Sequence, residues 1–522
     1  MDGQEGVIMS DNVTASGSSG SSPTSPSTGL ARTIDWKQGV IIAMGVPILI
    51  LPSLYDLDGT LWAFSIILWV ISVLQGFLQN MAIGEMAANF GVSGIGACAQ
   101  YVFSDEDKYR GRKVNWGKFI GAFTAWSYWF TWTPVIPIFT IMTGAYLQDS
   151  SFADYLGFLG DVNSTALNLV LGLIIFGTII FIGSRGLSGG AKAQLVLAGI
   201  TIVPLVIVVA IPFINGTFSL SNITNEFTPT GWTWGGNDIC MLFGCLAVAQ
   251  WSACAWESAA TYGAEYKNPG KDLPKALIAC GLICLFMYFI VSFSVYGTLG
   301  HTGVESTGYA TLAPVCVSNF GAIGALVALV LLVAGMVMLI QTAFLGSSRT
   351  LFAMSQNGNM PRVLSKTNKN GAPIYAMMFQ FVVGMCLIPL GTPGMILAAS
   401  SFGFCFALGM AMVCYVKTHR DPRFKDQPRV WSAPRGWYYV AIGLAIFQFF
   451  VLIPCLAYFS VNAYGPSSVV IGATILLLYI PLWFLLQRSE AKHQDTSPVR
   501  VEDGETSASS NTPVLESEIL RV

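Results

Sequence analysis

The sequence predicts an all-α protein that crosses a lipid bilayer many times, and three observations carry that prediction. Apolar runs of about 18 residues or longer recur along nearly the whole chain, each long enough to cross hydrocarbon as a helix. Charged residues make up 10% of the 522 residues and hydrophobic ones 53%, where a soluble domain carries about a quarter charged residues. When the runs are laid out as alternating spans, all 26 lysines and arginines fall on one side. That is the asymmetry expected of cytoplasmic loops.

Taken in order, residues 1–35 include "SGSSGSSPTSPST" and read as a disordered tail rich in Ser, Thr, Pro and Gly. They lack the cationic start and short apolar stretch of a cleavable signal peptide. Twelve candidate helices follow, separated by polar residues, Pro and Gly. The first, over 37–57, is interrupted by "AMGVPIL", and the second, over 61–89, ends in "MAIGEMA" with Glu85. The third, over 117–147, holds the aromatic stretch "WSYWFTW", which reads as packing or as the lining of a path. The fourth and fifth lie at 166–183 and 189–215, and the sixth, over 237–265, contains "WSACAWESAA" with Glu257. The seventh to tenth lie at 275–299, 321–354, 374–391 and 395–416. The last two lie at 437–460 and 467–487, and a polar, Ser/Thr-rich tail over 488–522 again reads as disordered.

With both termini cytoplasmic, the outer loops keep acids such as Asp149, Asp154, Asp161, Glu226 and Glu305. Three Asn-x-Ser/Thr sequons, at Asn163, Asn215 and Asn222, fall in those outer loops. An integral, multi-pass protein of the plasma membrane, with lipid as its surroundings, is the location this topology predicts.

The chemistry excludes several classes. The three histidines (His301, His419, His493) lie outside the apolar runs, and the 11 cysteines show no metal-ligand spacing. No catalytic elbow or phosphate-cradling loop is present, so the chain is no enzyme and needs no cofactor or metal. A net charge of −2 without a basic patch excludes nucleic acid as a partner. No repeated filter segment or acidic ring marks a channel.

What remains is transport of a small molecule. Glu257 stands in an apolar run, where a charge costs roughly 2.5–3.5 kcal/mol on insertion scales, so function is the first suspicion. Transport folds often bind substrate where helices break at the midplane and expose backbone groups. In "AMGVPIL", Pro47 lacks an N–H and Gly45 admits unusual dihedrals. Freed N–H groups there suit a carboxylate and freed carbonyls an ammonium, although a plain proline kink explains the same residues. The sixth helix has no Gly or Pro between Cys245 and Tyr262, only the small residues Ser252, Ala253, Cys254 and Ala255. Small residues also mark ordinary close helix packing.

At this point the chain resembles the amino acid–polyamine–organocation superfamily of permeases. The resemblance rests on "SSRTLFAMSQNGNMP" from Ser347, on "ESAA" from Glu257 with "EYKNPGKDLP" from Glu265, and on "MAIGEMA" from Met81. It covers about residues 36–487. It implies a leucine-transporter-like fold: an inverted repeat of five plus five helices, over 36–216 and 217–417, with a last loop and two extra helices over 418–487.

It further implies uptake or exchange of amino acids by alternating access, with Gly45, Val46, Pro47 and Ile48 at the unwound stretch that handles the substrate's α-carboxylate and α-amino group. Val46 and Pro47 depart from the family's Gly-Ser-Gly-Ile and remove one backbone donor, which opens the site to an unusual headgroup. The resemblance places Trp251, Ser252 and Ala253 at the break of the sixth helix. An aromatic face over an ammonium, Trp251 or Trp256, also makes sense by itself. Glu257 matches an acid tied to proton sensitivity or gating; a structural pin between helices is the alternative. Thr201 stands where some members carry a lysine in place of a sodium ion, so that route to proton coupling is absent. Proton symport, sodium symport and exchange all stay open. A carrier of polyamines or other organic amines is the runner-up, and a nutrient sensor built on a transport fold is the alternative of another class.

Overall fold

The structure, a computed structural model, describes residues 32, 34–43, 45–91, 94–104, 114–185 and 191–495. Among these every regular element is helical, apart from one isolated bridge between Ile34 and Tyr266. Of the tails expected at 1–35 and 488–522, residues 32, 34, 35 and 488–495 are described, the last as the end of a helix where a disordered tail was expected, and the others lie outside the described residues.

Each of the twelve apolar runs is helical. In chain order these are α1 (Trp36–Leu61), α2 (Phe64–Phe90), α3 (Trp116–Leu147), α4 (Ser164–Gly183) and α5 (Ala191–Asn215). Then come α6 (Gly236–Ala253 and Ala255–Glu265), α7 (Pro269–Thr307), α8 (Leu312–Gln356) and α9 (Ile374–Leu390). The last are α10 (Pro393–Arg420), α11 (Trp437–Tyr464) and α12 (Pro466–Asp495). Among the described residues nine helices are long and apolar enough to cross a membrane, and the two segments of α6 pass that test as one bent pair. A multi-pass integral membrane protein follows directly. The described apolar parts of α5 and α9 are shorter, Ile202–Asn215 and Ile374–Leu390.

With backbone bonds closed inside each helix, what remains to hold the bundle together is side-chain packing and cross-helix hydrogen bonds. Helices α3 and α10 are the most deeply buried, and α12 is the outermost, only 17% of its apolar window being covered. Helix α10 touches α2, α3, α6, α11 and α12, while α7 runs beside α2 and α1. Small residues permit these approaches: a Cβ on Gly76 of α2 would meet the Trp256 ring at 2.6 Å. In α11 a π turn over Gln448–Leu452 precedes Pro454, where the missing proline N–H would interrupt an α ladder.

Candidate functional site

Two helices lose regularity at the same level of the bundle. Helix α1 runs as Trp36–Ala43, passes through Gly45 and tightens into a 3₁₀ turn over Val46–Ile50 before resuming at Leu51. Pro47 inside that turn has no N–H to give. Helix α6 stops at Ala253, and beyond Cys254 a 3₁₀ segment continues at an angle of 45°. Where a helix stops, its last carbonyls have no partner in their own chain segment.

Those carbonyls are met from other helices. The Tyr288 hydroxyl of α7 lies 2.5 Å from the Ser252 carbonyl and 3.0 Å from the Val46 carbonyl. The Asn80 amide of α2 donates to Gly76 O at 3.0 Å and reaches Cys254 O at 3.4 Å. The hydroxyls of Ser53 on α1 and Ser252 on α6 pair at 2.6 Å. Next to them the Gln250 amide donates to Gln79 Oε1 at 3.0 Å. The two irregular stretches are therefore stitched to each other and to α2 and α7.

Beside the stitch lies a cavity lined by Leu49, Thr131, Trp132, Val135, Trp251, Ala255 and Phe404. None of these side chains is charged, and only the Thr131 hydroxyl and the Trp indole N–H groups are polar. The Trp251 N–H donates to the Thr131 carbonyl at 3.3 Å, which fixes its ring across this space. About 10 Å³ is open to the centre of a water molecule, roughly the room one water needs. In this conformation the cavity is too small for an amino acid.

The sequence-predicted residues divide here. Val46, Pro47, Ile48, Trp251, Ser252 and Ala253 are all buried along the 3₁₀ turn of α1 and the end of the first segment of α6, and Gly45 abuts Leu339 of α8. Trp256 turns the other way: its ring packs on Phe77 at 5.4 Å and against Gly76, toward α2. The Thr201 side chain lies outside the described residues. Glu257 is 1% exposed, and its Oε1 accepts from the Tyr128 hydroxyl of α3 at 3.2 Å. Its Oε2 has no hydrogen-bond partner among the described residues, nor does any described cation pair with it.

The other acid in an apolar run is treated differently. Glu85 accepts from Tyr415 Oη at 2.8 Å and from the Ala433 N–H at 2.8 Å, with His419 Nε2 at 3.3 Å. Arg429 completes an ion pair with it and also donates to Thr418 O at 3.0 Å. The cluster ties the end of α2 to the end of α10 and the loop after it. At the opposite end of the bundle, Tyr309 donates to Asp56 of α1 at 3.2 Å and accepts from the Gly394 N–H of α10 at 3.2 Å.

Sequence reasoning missed Tyr288, Ser53 and Phe404, while Thr131 and Trp132 belong to the "WSYWFTW" stretch read as packing or as the lining of a path. Tyr288 carried one faint signal, a lone hydroxyl inside "LFMYFIV".

Known proteins resemble the chain along much of its length. An uncharacterized amino acid permease of Bacillus subtilis is 25% identical over 349 residues, 65% of this chain and 72% of that protein. A D-serine/D-alanine/glycine transporter of Escherichia coli K12 is 22% identical over 377 residues, 71% of this chain and 76% of its own. A branched-chain amino acid permease of Bacillus subtilis is 25% identical over 261 residues, 48% of this chain and 51% of its own. The family model described as amino acid permease matches residues 34–486. The chain is no enzyme by these comparisons: it belongs to the amino acid permease family of membrane transporters.

Proposed function

We propose that the protein is a secondary active transporter that moves amino acids across the plasma membrane by alternating access, with the substrate held at the irregular stretches of α1 and α6. The observation that carries this reading is the meeting of the Val46 and Ser252 carbonyls on one hydroxyl beside the cavity. Two backbone acceptors at one point suit an α-ammonium group. The neighbouring lining from Leu49 to Phe404 is apolar, so it suits an uncharged side chain. A polyamine would need acids in that lining to offset its second charge.

On this reading all twelve helices span the bilayer, both tails are cytoplasmic and the two halves form an inverted repeat. The ties at Glu85 and Asp56 then close the two mouths of the site in turn. Glu257 couples or gates transport, with protons, sodium or a counter-transported amino acid as the driving partner.

Uptake into proteoliposomes tests the reading. Radiolabelled L-leucine, L-phenylalanine, L-alanine, glycine, L-lysine, L-glutamate and putrescine are offered at two pH values, with and without sodium. Accumulation of neutral amino acids supports it. Uptake of putrescine alone, or binding without accumulation, replaces the transporter of amino acids with an amine carrier or a sensor.

A further inference from the structure

We infer that the Tyr288 hydroxyl is a placeholder for the substrate's ammonium group, occupying the Val46 and Ser252 carbonyls whenever the site is empty. The inference rests on the reading that those carbonyls bind the ammonium. Tyr288 is wholly buried, and its ring is braced against Trp69 of α2 at 5.1 Å between centroids. Its hydroxyl faces two carbonyls, at 2.5 and 3.0 Å. A tyrosine hydroxyl has one proton to give, so one acceptor is served at a time.

That deficit has a physical consequence. At any moment one of the two buried carbonyls goes without the hydroxyl's proton, so the contact is weaker than a full hydrogen bond to each. An ammonium brings three donors and a positive charge, so it satisfies both carbonyls at once, and more strongly. The empty site is thus held shut by a donor good enough to join the two breaks and poor enough to be displaced. The serine pair Ser53–Ser252, at 2.6 Å, keeps the two stretches in register while the exchange occurs. Substrate binds by competition with the protein's own hydroxyl, and release is assisted by its return.

Removing the competitor tests this. Full-length Tyr288→Phe is purified and its affinity measured with the amino acid that wild-type proteoliposomes accumulate best from the panel above. The expected result is a dissociation constant lower by about fivefold, the size of one net hydrogen bond. Because the returning hydroxyl no longer assists release, kcat falls as KM falls. A merely structural tyrosine would weaken binding instead, and unchanged or weaker binding overturns the inference. Should the phenylalanine chain not fold, 3-fluorotyrosine placed at position 288 decides. It keeps the shape and is a stronger donor, so binding must weaken; tighter or unaltered binding refutes the placeholder. The N-acetyl derivative of the same amino acid separates the two levels. If it competes with wild type as well as the parent does, the ammonium reading itself falls. If only the free amine competes and Tyr288→Phe fails to tighten binding, the placeholder alone falls.

Discussion

Arg429→Ala should be among the most destabilising single substitutions at its end of the bundle. Glu85 is 1% exposed and the Arg429 side chain 15% exposed, so the pair sits at the rim of the buried bundle. Without the guanidinium, the carboxylate keeps the Tyr415 hydroxyl and the Ala433 N–H, both at 2.8 Å, and His419 Nε2 at 3.3 Å. It loses its charged partner, and the Thr418 carbonyl loses a donor. Breaking a buried pair from one side costs about 3–5 kcal/mol, and the three surviving partners place this case near the lower figure, about 3 kcal/mol. The double replacement Glu85→Gln with Arg429→Gln removes both charges while the amide oxygen still accepts from Tyr415 and Ala433. It should lie within about 1 kcal/mol of wild type. Thermal inactivation in detergent, followed by size-exclusion chromatography, ranks the three chains. An Arg429→Ala chain as stable as wild type, or a double variant less stable than the single one, would refute the ion-pair account of the buried carboxylate.

Three further outcomes are expected. Glu257→Gln keeps an acceptor for Tyr128 but cannot release a proton, so uptake by this variant should lose the pH dependence of wild-type uptake; an unaltered pH profile assigns Glu257 to structure alone. Gly39→Ala places a Cβ against the Tyr266 hydroxyl, which now donates to Ala259 O at 3.1 Å. The overpacking costs about 1–3 kcal/mol, seen as earlier thermal inactivation that Tyr266→Phe partly relieves. Asp421, outside the spans, is held down to about 2 by hydrogen bonds from Arg423. A carboxyl lowered by folding stabilises the fold above its unfolded value and loses that contribution as pH falls through the folded one. Asp421→Asn should therefore cost the same small amount from pH 5 to 8, and the difference should shrink only below about pH 4.

Helix positions were legible because hydrocarbon imposes a long apolar run on each span. The run at 166–183 became Ser164–Gly183, and that at 374–391 became Ile374–Leu390. Ends were lost where a helix continues past a glycine turn. Helix α7, read as 275–299, continues beyond Gly300, where φ turns to 65°, through His301–Thr307. Helix α8, read from 321, starts at Leu312 and turns at Gly321 with φ of 66°. The first extension is polar, whereas Leu312–Gly321 is apolar and was read as part of the outer loop.

At the site, irregular backbone in α1 could be argued locally from Pro47, which lacks an N–H in its own turn, whereas Gly45, expected to supply unusual dihedrals, has φ of −75° and ψ of −20°, ordinary helical values. The 45° bend of α6 could not. Its freed carbonyls are met by Asn80 and Tyr288, which are 174 and 36 residues away in sequence. For the same reason Glu85 and Glu257 looked alike as isolated acids. Arg429, 344 residues from Glu85, distinguishes them only once the chain is folded.

The most direct test of the account is an experimental structure with the transported amino acid bound. It predicts the ammonium nitrogen within about 3 Å of both the Val46 and Ser252 carbonyl oxygens, the side chain against Trp251 and Phe404, and the Tyr288 hydroxyl drawn away from at least one carbonyl. Density for the amino acid elsewhere, with Tyr288 still joining the two carbonyls, would contradict it.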